Sequence, residues 1–324
     1  MHFRVFMTGS GISGVARQFL ENNHCTLAQG TPQDTPEELA AKIAAFDPHA
    51  LIVRQGKITP DVQNAAPSLK VICKHGVGLD NIDVDHATSL SIPVMLTPGA
   101  NFESVAEHTL ALILALTRDI PFENTRVKKG TFDKKSYAGL ELKGKTIGLI
   151  GYGPIAKRLL QLMEPFGVSA LVCRRSQQKM DLPAHASQVD SWNVIYEKSD
   201  IISLHCPLTP ETTGLINADN IARMKRGVYL INTARGAIIE EQDLANALQT
   251  GHIAGAALDT LTTEPPPADH PLLKRDNVII TPHVGGSSDL SLTNMGMGAA
   301  KNILSVLRNE AIDHSTVKNQ HILE

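Results

Sequence analysis

Residues 145–160, KTIGLIGYGPIAKRLL, join a short apolar run to a helical pattern through a glycine-rich turn. The apolar run reads as a buried strand, and Pro154 suits the first position of the helix that follows. Gly151, Gly153 and Ala156 fill the three positions of a G-x-G-x-x-G/A pattern. In that pattern backbone N–H groups and a helix N-terminus face a pyrophosphate, so the stretch predicts a dinucleotide-binding β-α-β unit.

A second glycine pattern competes for this role. Residues 9–14, GSGISG, directly follow the apolar run RVFMT, and the pattern alone does not choose between the two sites. The next strand, CTLAQG, ends with no residue suited to holding a ribose, so we interpret residues 9–14 as a tight strand-to-helix turn. After the strand SALVC, by contrast, Arg174 and Arg175 provide two positive charges that can bind a charged ligand.

On both sides of residues 145–160, short runs of β-branched apolar residues alternate with helical patterns along the chain. ALIVR, LKVICK and IPVML precede the central stretch, and DIISLHC, VYLINT, IAGAALD and NVIIT follow it. This alternation predicts an α/β protein with parallel sheets. A capping box is expected at Thr35, and long helices are expected over residues 101–118 and 289–308.

Composition narrows the classes of function. The 324 residues, 42% of them hydrophobic, are enough for two domains, and the formal net charge of -3 argues against nucleic acid or an anionic membrane as the main partner. The four cysteines lie far apart without zinc-ligand spacing, so we expect no disulfide framework, no metal and a reducing cytoplasm. No apolar run is long enough to suggest a membrane span or an export signal.

Three separate segments carry candidate chemical groups: INTARGAIIE with Arg235, LDTLTTEPPP with Glu264 and ITPHVGGSS with His283. Together with KHGVGLDNID, SVAEHTLAL, GYGPIAKRL and LHCPLTPETTGLI, they resemble the D-isomer-specific 2-hydroxyacid dehydrogenase family. The resemblance covers most of the chain from about residue 50 to residue 308. It implies a flavodoxin-like substrate domain and an inserted Rossmann-type domain, with the active site between them.

The resemblance also implies catalytic roles that suit the chemistry. Reduction of a 2-oxo acid creates negative charge on the carbonyl oxygen, so a proton donor and a cation for the substrate are needed. The resemblance implies that His283 is the general acid and that Glu264 orients its ring. It also implies that the planar guanidinium of Arg235 binds the substrate oxygens. Taken singly, each has a plainer interpretation: a structural histidine, a solvated loop charge and a turn cation.

Further binding residues follow from the same resemblance. Gly76, Val77 and Gly78 can present backbone N–H groups to a carboxylate, whereas Glu107 and His108 are expected to pack or to form an interface. The predicted substrate contacts are Arg54, Val77, Gly78, Arg235 and His283. The predicted cofactor contacts are Gly151, Gly153, Pro154, Ile155, Arg174, Arg175, Ser176, Cys206, Pro207, Thr212, Thr233, Ala234, Arg235, Asp259, His283 and Gly285.

The residues after the strand SALVC bear on the choice of dinucleotide. An acid that binds the adenosine 2'-hydroxyl is expected near Arg174, and none stands there in the sequence. Arg174, Arg175 and Ser176 can instead bind a 2'-phosphate, which predicts a preference for NADPH, with NADH still possible. The alternative is that both arginines are solvated and touch no cofactor.

The sequence thus predicts a discontinuous substrate domain, residues 1–100 and 288–324, and a dinucleotide-binding domain, residues 101–287. We expect a homodimer that reduces a small 2-oxo acid such as glyoxylate or hydroxypyruvate. D-3-phosphoglycerate dehydrogenase is an alternative, because Arg54 or Lys57 could meet a phosphate. A dinucleotide-sensing corepressor is an alternative of another class, since it could retain all three candidate catalytic residues.

Overall fold

A computed structural model describes residues 1–135, 137–176 and 178–323. These residues form two compact units, one of Met1–Asn101 with Ser287–Glu324 and one of Phe102–Gly286. The predicted α/β class with two parallel sheets is confirmed.

The first unit is a five-stranded parallel sheet in the order β2-β1-β3-β4-β5. Its strands are β1 (Phe3–Met7), β2 (Cys25–Gln29), β3 (Ala50–Val53), β4 (Val71–Lys74) and β5 (Val94–Met95). Its helices are α1 (Gly14–Asn22), α2 (Pro36–Phe46), α3 (Pro60–Asn64), α4 (Val84–Ser89) and α11 (Asp289–Leu307). This strand order is that of flavodoxin-like folds, as expected.

Both faces of this sheet are covered by helices, which explains why the strands are apolar throughout. Val5 and Met7 of β1 pack on the face that carries Ile303 of α11, and Phe6 packs on the opposite face with Ile43 of α2. The alternation follows directly from the two-residue period of a strand. The Thr35 capping box that starts α2 is confirmed: Thr35 Oγ1 accepts from Glu38 N, and Glu38 Oε2 accepts from Thr35 N at 2.9 Å.

The second unit is a seven-stranded parallel sheet in the order β12-β11-β10-β9-β6-β7-β8. Its strands are β6 (Thr146–Ile150), β7 (Ser169–Cys173), β8 (Ala186–Gln188), β9 (Ile201–Leu204), β10 (Val228–Asn232), β11 (Ile253–Leu258) and β12 (Val278–Ile280). Its helices are α5 (Phe102–Thr117), α6 (Ile120–Lys128), α7 (Pro154–Met163), α8 (Trp192–Lys198), α9 (Ala218–Ala222) and α10 (Glu241–Gln249). Helices α5 and α7 share one face of the sheet, and α8, α9 and α10 share the other.

The strand order of the second unit reverses between β6 and β9. In open parallel sheets, ligands bind outside the carboxyl ends of the strands at such a switch point. The segments that follow β6, β7, β9, β10, β11 and β12 all begin at that edge, and they contain every residue predicted to bind the dinucleotide.

Candidate active site

The three candidate catalytic residues follow three neighbouring strands. Arg235 follows β10, Glu264 follows β11 and His283 follows β12, and these strands are adjacent in the sheet. The carboxyl ends of parallel strands meet at one edge, so residues far apart in sequence have their loops side by side.

The His283 ring is held by Glu264. His283 Nδ1 lies 2.9 Å from Glu264 Oε2, and the other carboxylate oxygen accepts from the N–H of Leu261 at 2.9 Å. Partial burial tends to raise the pKa of Glu264, but the hydrogen bonds from His283 and Leu261 and the charge of His283 outweigh it and lower the pKa. Glu264 is therefore a carboxylate at neutral pH, and its Oε2 accepts a hydrogen bond from the protonated Nδ1 of His283.

His283 has an unusual backbone. Its φ of 53° lies in the left-handed region, where a residue with a side chain is strained by about 1–3 kcal/mol. The backbone N–H of His283 donates to the carbonyl oxygens of Asp259 and Thr281, each at 2.9 Å. Such strain persists only where neighbouring contacts fix the loop, and residues in this state cluster at functional sites.

Asp259 supplies those contacts. Its buried carboxylate accepts from Thr281 Oγ1 at 2.6 Å, from Val284 N at 2.9 Å and from Gly285 N at 2.8 Å. Burial tends to raise the pKa of Asp259, but hydrogen bonds from His108, Thr281 and the two backbone amides outweigh it and lower the pKa. Asp259 was predicted only as a cofactor contact, and the structure adds that its side chain organises the His283 loop.

The Arg235 loop is fixed by two residues that the sequence analysis did not single out. Buried Asn232 accepts from Ala234 N at 3.0 Å and donates to Arg235 O at 2.9 Å. A Cβ on Gly236 would lie 2.0 Å from the carbonyl carbon of Leu261, so only glycine lets the Arg235 loop pack on the loop that leads to Glu264. The turn-forming Asn and the Gly within NTARG were the available signals.

The turn after β6 meets the requirements of a phosphate-binding site. Gly151 has a φ of 102°, and a Cβ there would lie 2.7 Å from Cys206 N, so glycine is required at the switch point. Gly153 is the N-cap residue of α7 and has no side chain with which to cap it, and a Cβ on Gly153 would meet no described atom within 4 Å. The N-terminus of α7, with Pro154 and Ile155 in its first turn, is thus open to a ligand.

The competing turn over residues 9–14 differs at the same point. Ser13 Oγ caps α1 by accepting from Ala16 N at 3.3 Å, so the helix end is occupied by its own side chain. This supports the interpretation of residues 9–14 as a strand-to-helix turn.

The remaining predicted cofactor residues lie at the same sheet edge. Cys206 is buried just after β9, and Thr212 Oγ1 donates to Pro207 O at 2.7 Å, which shapes the loop between them. Thr233 and Ala234 begin the Arg235 loop, and Gly285 follows His283.

Arg174, Arg175 and Ser176 follow β7, and the structure places acids near them. Arg174 donates to Gln178 O at 3.1 Å, while Arg175 is 81% exposed and lies 3.5 Å from Glu211. A cavity of about 250 Å³ is lined by Cys173, Arg174, Arg175, Asp190, Ser191 and Trp192. The sequence showed no acid at the end of β7, but the fold brings Asp190 and Glu211 to this region.

The predicted substrate residues of the first unit follow β3 and β4. Arg54 is half-buried and donates to Gly11 O at 3.1 Å, and burial lowers its pKa below the ordinary value. Val77 is 45% exposed. The N–H of Gly76 donates to Thr97 Oγ1 at 2.9 Å, so only Val77 and Gly78 remain as predicted carboxylate contacts.

Comparison with known proteins assigns the family. Residues 110–285 match the NAD-binding domain of the D-isomer specific 2-hydroxyacid dehydrogenases. The chain belongs to this family. The resemblance stated from the sequence motifs is therefore confirmed.

Two relatives show the range of activities within the family. The chain is 38% identical over 303 residues to D-3-phosphoglycerate dehydrogenase of Bacillus subtilis, a match that covers 93% of this chain and 56% of that enzyme. It is 40% identical over 296 residues to glyoxylate reductase of Thermofilum pendens, covering 88% of this chain and 86% of that enzyme. The chain thus spans only about half of the phosphoglycerate dehydrogenase.

Solved structures share the whole fold. The TT0316 protein of Thermus thermophilus superposes with a TM-score of 0.89 at 32% identity, covering 97% of this chain and 99% of that one. An acyclic imino acid reductase in complex with NADPH and D-Arg has a TM-score of 0.84 at 26% identity, covering 97% and 99%. The formate dehydrogenase of Staphylococcus aureus, in complex with NAD, has a TM-score of 0.85 at 27% identity, covering 97% and 98%. Both dinucleotides therefore occur among structural neighbours.

Proposed function

We propose that this protein reduces a small 2-oxo acid of the glyoxylate or hydroxypyruvate type to the D-2-hydroxy acid, with NADPH preferred. The observation that carries the proposal is the 2.9 Å contact between His283 Nδ1 and the Glu264 carboxylate, on a strained loop at the carboxyl edge of the sheet. Such a pair provides an oriented proton donor, which reduction of a carbonyl requires.

The proton path follows from the ring orientation. Glu264 accepts a hydrogen bond from the protonated Nδ1, so Nε2 of the imidazolium is the nitrogen that gives its proton to the substrate carbonyl oxygen. A reduced nicotinamide, when bound by the residues after β6 and β7, would supply the hydride to the carbonyl carbon. After the transfer His283 is neutral, with its Nδ1 proton still hydrogen-bonded to Glu264, and in the oxidising direction Nε2 takes the hydroxyl proton.

Arg235, Val77 and Gly78 bind the substrate in this proposal. The guanidinium fork of Arg235 suits the planar carboxylate and carbonyl oxygens of a 2-oxo acid. We assign dinucleotide binding to the Phe102–Gly286 unit and substrate binding chiefly to the unit that contains β1–β5.

The dinucleotide is held by the open end of α7. Gly151 and Gly153 allow its pyrophosphate to approach the backbone, and the N-terminus of α7 attracts its negative charge. Arg174 and Ser176 bind the adenosine 2'-phosphate, which favours NADPH. Arg175 contributes less, because Glu211 already neutralises part of its charge.

D-3-phosphoglycerate oxidation is the second candidate, favoured by one observation. Arg54 lies half-buried at the β1/β3 switch point of the first sheet, where flavodoxin-like folds bind ligands. A guanidinium there could take a substrate phosphate.

A panel of 2-oxo acids tests the proposal. Glyoxylate, hydroxypyruvate and 3-phosphohydroxypyruvate would be offered with NADPH and with NADH, to wild type and to Arg54→Ala, with Arg54→Lys as the charge-retaining control. We expect turnover of an unphosphorylated acid and a similar effect of Arg54→Ala on all three substrates. A selective loss for the phosphorylated acid, worth about 2 kcal/mol or roughly thirtyfold, would favour the second candidate. Turnover of none of them would favour the dinucleotide-sensing alternative.

A further inference from the structure

Helix α5 makes side-chain contacts with two loops of the proposed site. One loop carries His283, the proposed proton donor, and the other carries Arg235, the proposed substrate-binding cation. Ser104 Oγ donates to Gly285 O at 2.7 Å, and His108 Nε2 lies 3.1 Å from Thr281 Oγ1, so two residues of α5 reach the His283 loop. At the next residue of α5, Thr109 Oγ1 lies 3.0 Å from Thr233 Oγ1 at the start of the Arg235 loop.

The hydrogens on the His283 side can be assigned from the distances. Thr281 Oγ1 donates its one hydrogen to Asp259 Oδ1 at 2.6 Å, so its oxygen accepts from His108 Nε2–H. His108 thus reaches Asp259 both through Thr281 and directly, because its Nε2 lies 3.4 Å from Asp259 Oδ1. Asp259 in turn accepts from the backbone N–H groups of Val284 and Gly285. Hydrogen bonds in such chains strengthen one another.

The Arg235 side can be assigned in the same way. Thr109 Oγ1 donates to Val105 O of its own helix at 2.7 Å, so it accepts from the Thr233 hydroxyl. Thr109 is fully buried, which makes this contact between α5 and the Arg235 loop costly to lose.

The packing leaves little freedom in this arrangement. A Cβ on Gly285 would lie 2.9 Å from Asp259 Oδ2 and 3.4 Å from His108 Cδ2, so the His283 loop sits directly against α5. Helix α5 is itself anchored by Leu112, Ile113 and Leu116 in the core beneath the sheet. A rigid helix that binds two loops fixes the separation of the groups those loops carry.

We propose that His108, Thr109 and Thr281 are positioning residues, which set the separation of His283 and Arg235 by binding their loops to one helix. The inference rests on the proposed function, because it gives those two residues their roles. A misplacement of about 1 Å in such a site can cost on the order of a hundredfold in rate.

The test compares threonine variants that differ only in this contact. Thr281→Val and Thr109→Val each remove one hydroxyl while keeping the side-chain shape, and Thr281→Ser keeps the hydroxyl. Thr117→Val is the matched control, because Thr117 is buried on the same helix. Within the described part of the chain its hydroxyl bonds only to carbonyls of that helix, at Ile113 and Leu114.

We expect kcat to fall at least tenfold in Thr281→Val and Thr109→Val, with NADPH affinity within about twofold of wild type. Thr281→Ser and Thr117→Val should keep wild-type kcat. His108→Leu should also lower kcat, because His108 Nε2 contacts Thr281 Oγ1 and lies 3.4 Å from Asp259 Oδ1. Thr109→Val combined with Thr281→Val should multiply the two losses.

The outcomes separate this inference from the proposed function. Wild type without turnover of any 2-oxo acid overturns the proposed function. An active wild type whose Thr281→Val and Thr109→Val variants keep full kcat overturns the positioning role. The positioning role would also be overturned if Thr117→Val lost as much kcat and thermal stability as Thr281→Val and Thr109→Val do. Such a result would show a general effect of packing in α5.

Discussion

At the scale of single residues, the site depends on how the His283 loop is held in a strained conformation. A φ of 53° is unfavourable for histidine, and the contacts of Asp259 with Thr281, Val284 and Gly285 offset that cost. Glu264 then fixes the ring. In the proposed reaction the imidazole would therefore be oriented before the 2-oxo acid binds, which lowers the cost of reaching the reactive geometry.

Arg174 provides a prediction about cofactor choice. Wild type is expected to prefer NADPH over NADH at least tenfold in kcat/KM, because Arg174 attracts the 2'-phosphate. Arg174→Asp should erase or reverse the preference, since it replaces attraction by repulsion. Steady-state kinetics with both dinucleotides measure this, and Glu211→Gln is the companion variant.

In Glu211→Gln the charge next to Arg175 is removed, so the NADPH preference should rise modestly. A wild-type enzyme that works better with NADH would contradict the assignment of Arg174. In that case Asp190, which lines the same cavity, becomes the residue to examine as the partner of a ribose hydroxyl.

At the residue scale, the sequence predicted the partners but not their supports. Glu264 and His283 could be paired because their motifs resemble a family. The roles of Asn232, Gly236 and Thr281 depend on distances between loops, which no pattern in one segment encodes. Likewise Glu211 lies beside Arg175 only because the loops after β7 and β9 lie close together.

At the scale of elements, the strands follow from their composition. β3 and β9 are buried along their whole length, which is why ALIV and IISL are almost entirely apolar. The helices expected over residues 101–118 and 289–308 are observed as α5, one residue shorter at each end, and α11, one residue shorter at its C-terminal end. Neither α6 nor β8 was anticipated: α6 has no buried residue and β8 is a three-residue edge strand, so neither has a hydrophobic period.

The end of β9 provides a prediction about acid stability. Burial lowers the pKa of His205 to about 4, whereas a histidine in the unfolded chain titrates near 6.5. The unfolded state therefore binds a proton at His205 more tightly than the folded state does. The contribution of neutral His205 to the free energy of unfolding is complete above about pH 6.5 and is lost as the pH falls from about 6.5 to about 4. The loss for His205 amounts to about 3 kcal/mol.

Replacing His205 by Gln should flatten the decline in the free energy of unfolding between about pH 6.5 and pH 4. His321→Gln, at an exposed histidine near the C-terminal end, is the control and should leave the decline unchanged. Urea unfolding at several pH values gives both curves. An equally steep decline in His205→Gln would contradict the lowered pKa of His205 in the folded protein.

At the scale of the whole molecule, each unit presents a parallel sheet with a switch point. The first sheet has Arg54 and the residue 9–14 turn at its switch point, and the second has the Gly151 turn and His205. No helix among the described residues is long and apolar enough to span a membrane. The homodimer and the cytoplasmic location remain predictions from the sequence.

The central claim is that His283 is the proton donor of a 2-oxo acid reductase. The most direct test is steady-state reduction of the best acid in the panel by wild type and by His283→Ala, together with NADPH binding to both. We expect kcat to fall by on the order of 10² to 10⁴ with NADPH affinity nearly intact, because only the proton transfer is lost. For wild type, reduction should slow as pH rises, because only the imidazolium donates, and oxidation should quicken. Near-wild-type turnover in His283→Ala, or parallel pH profiles in the two directions, would contradict the claim.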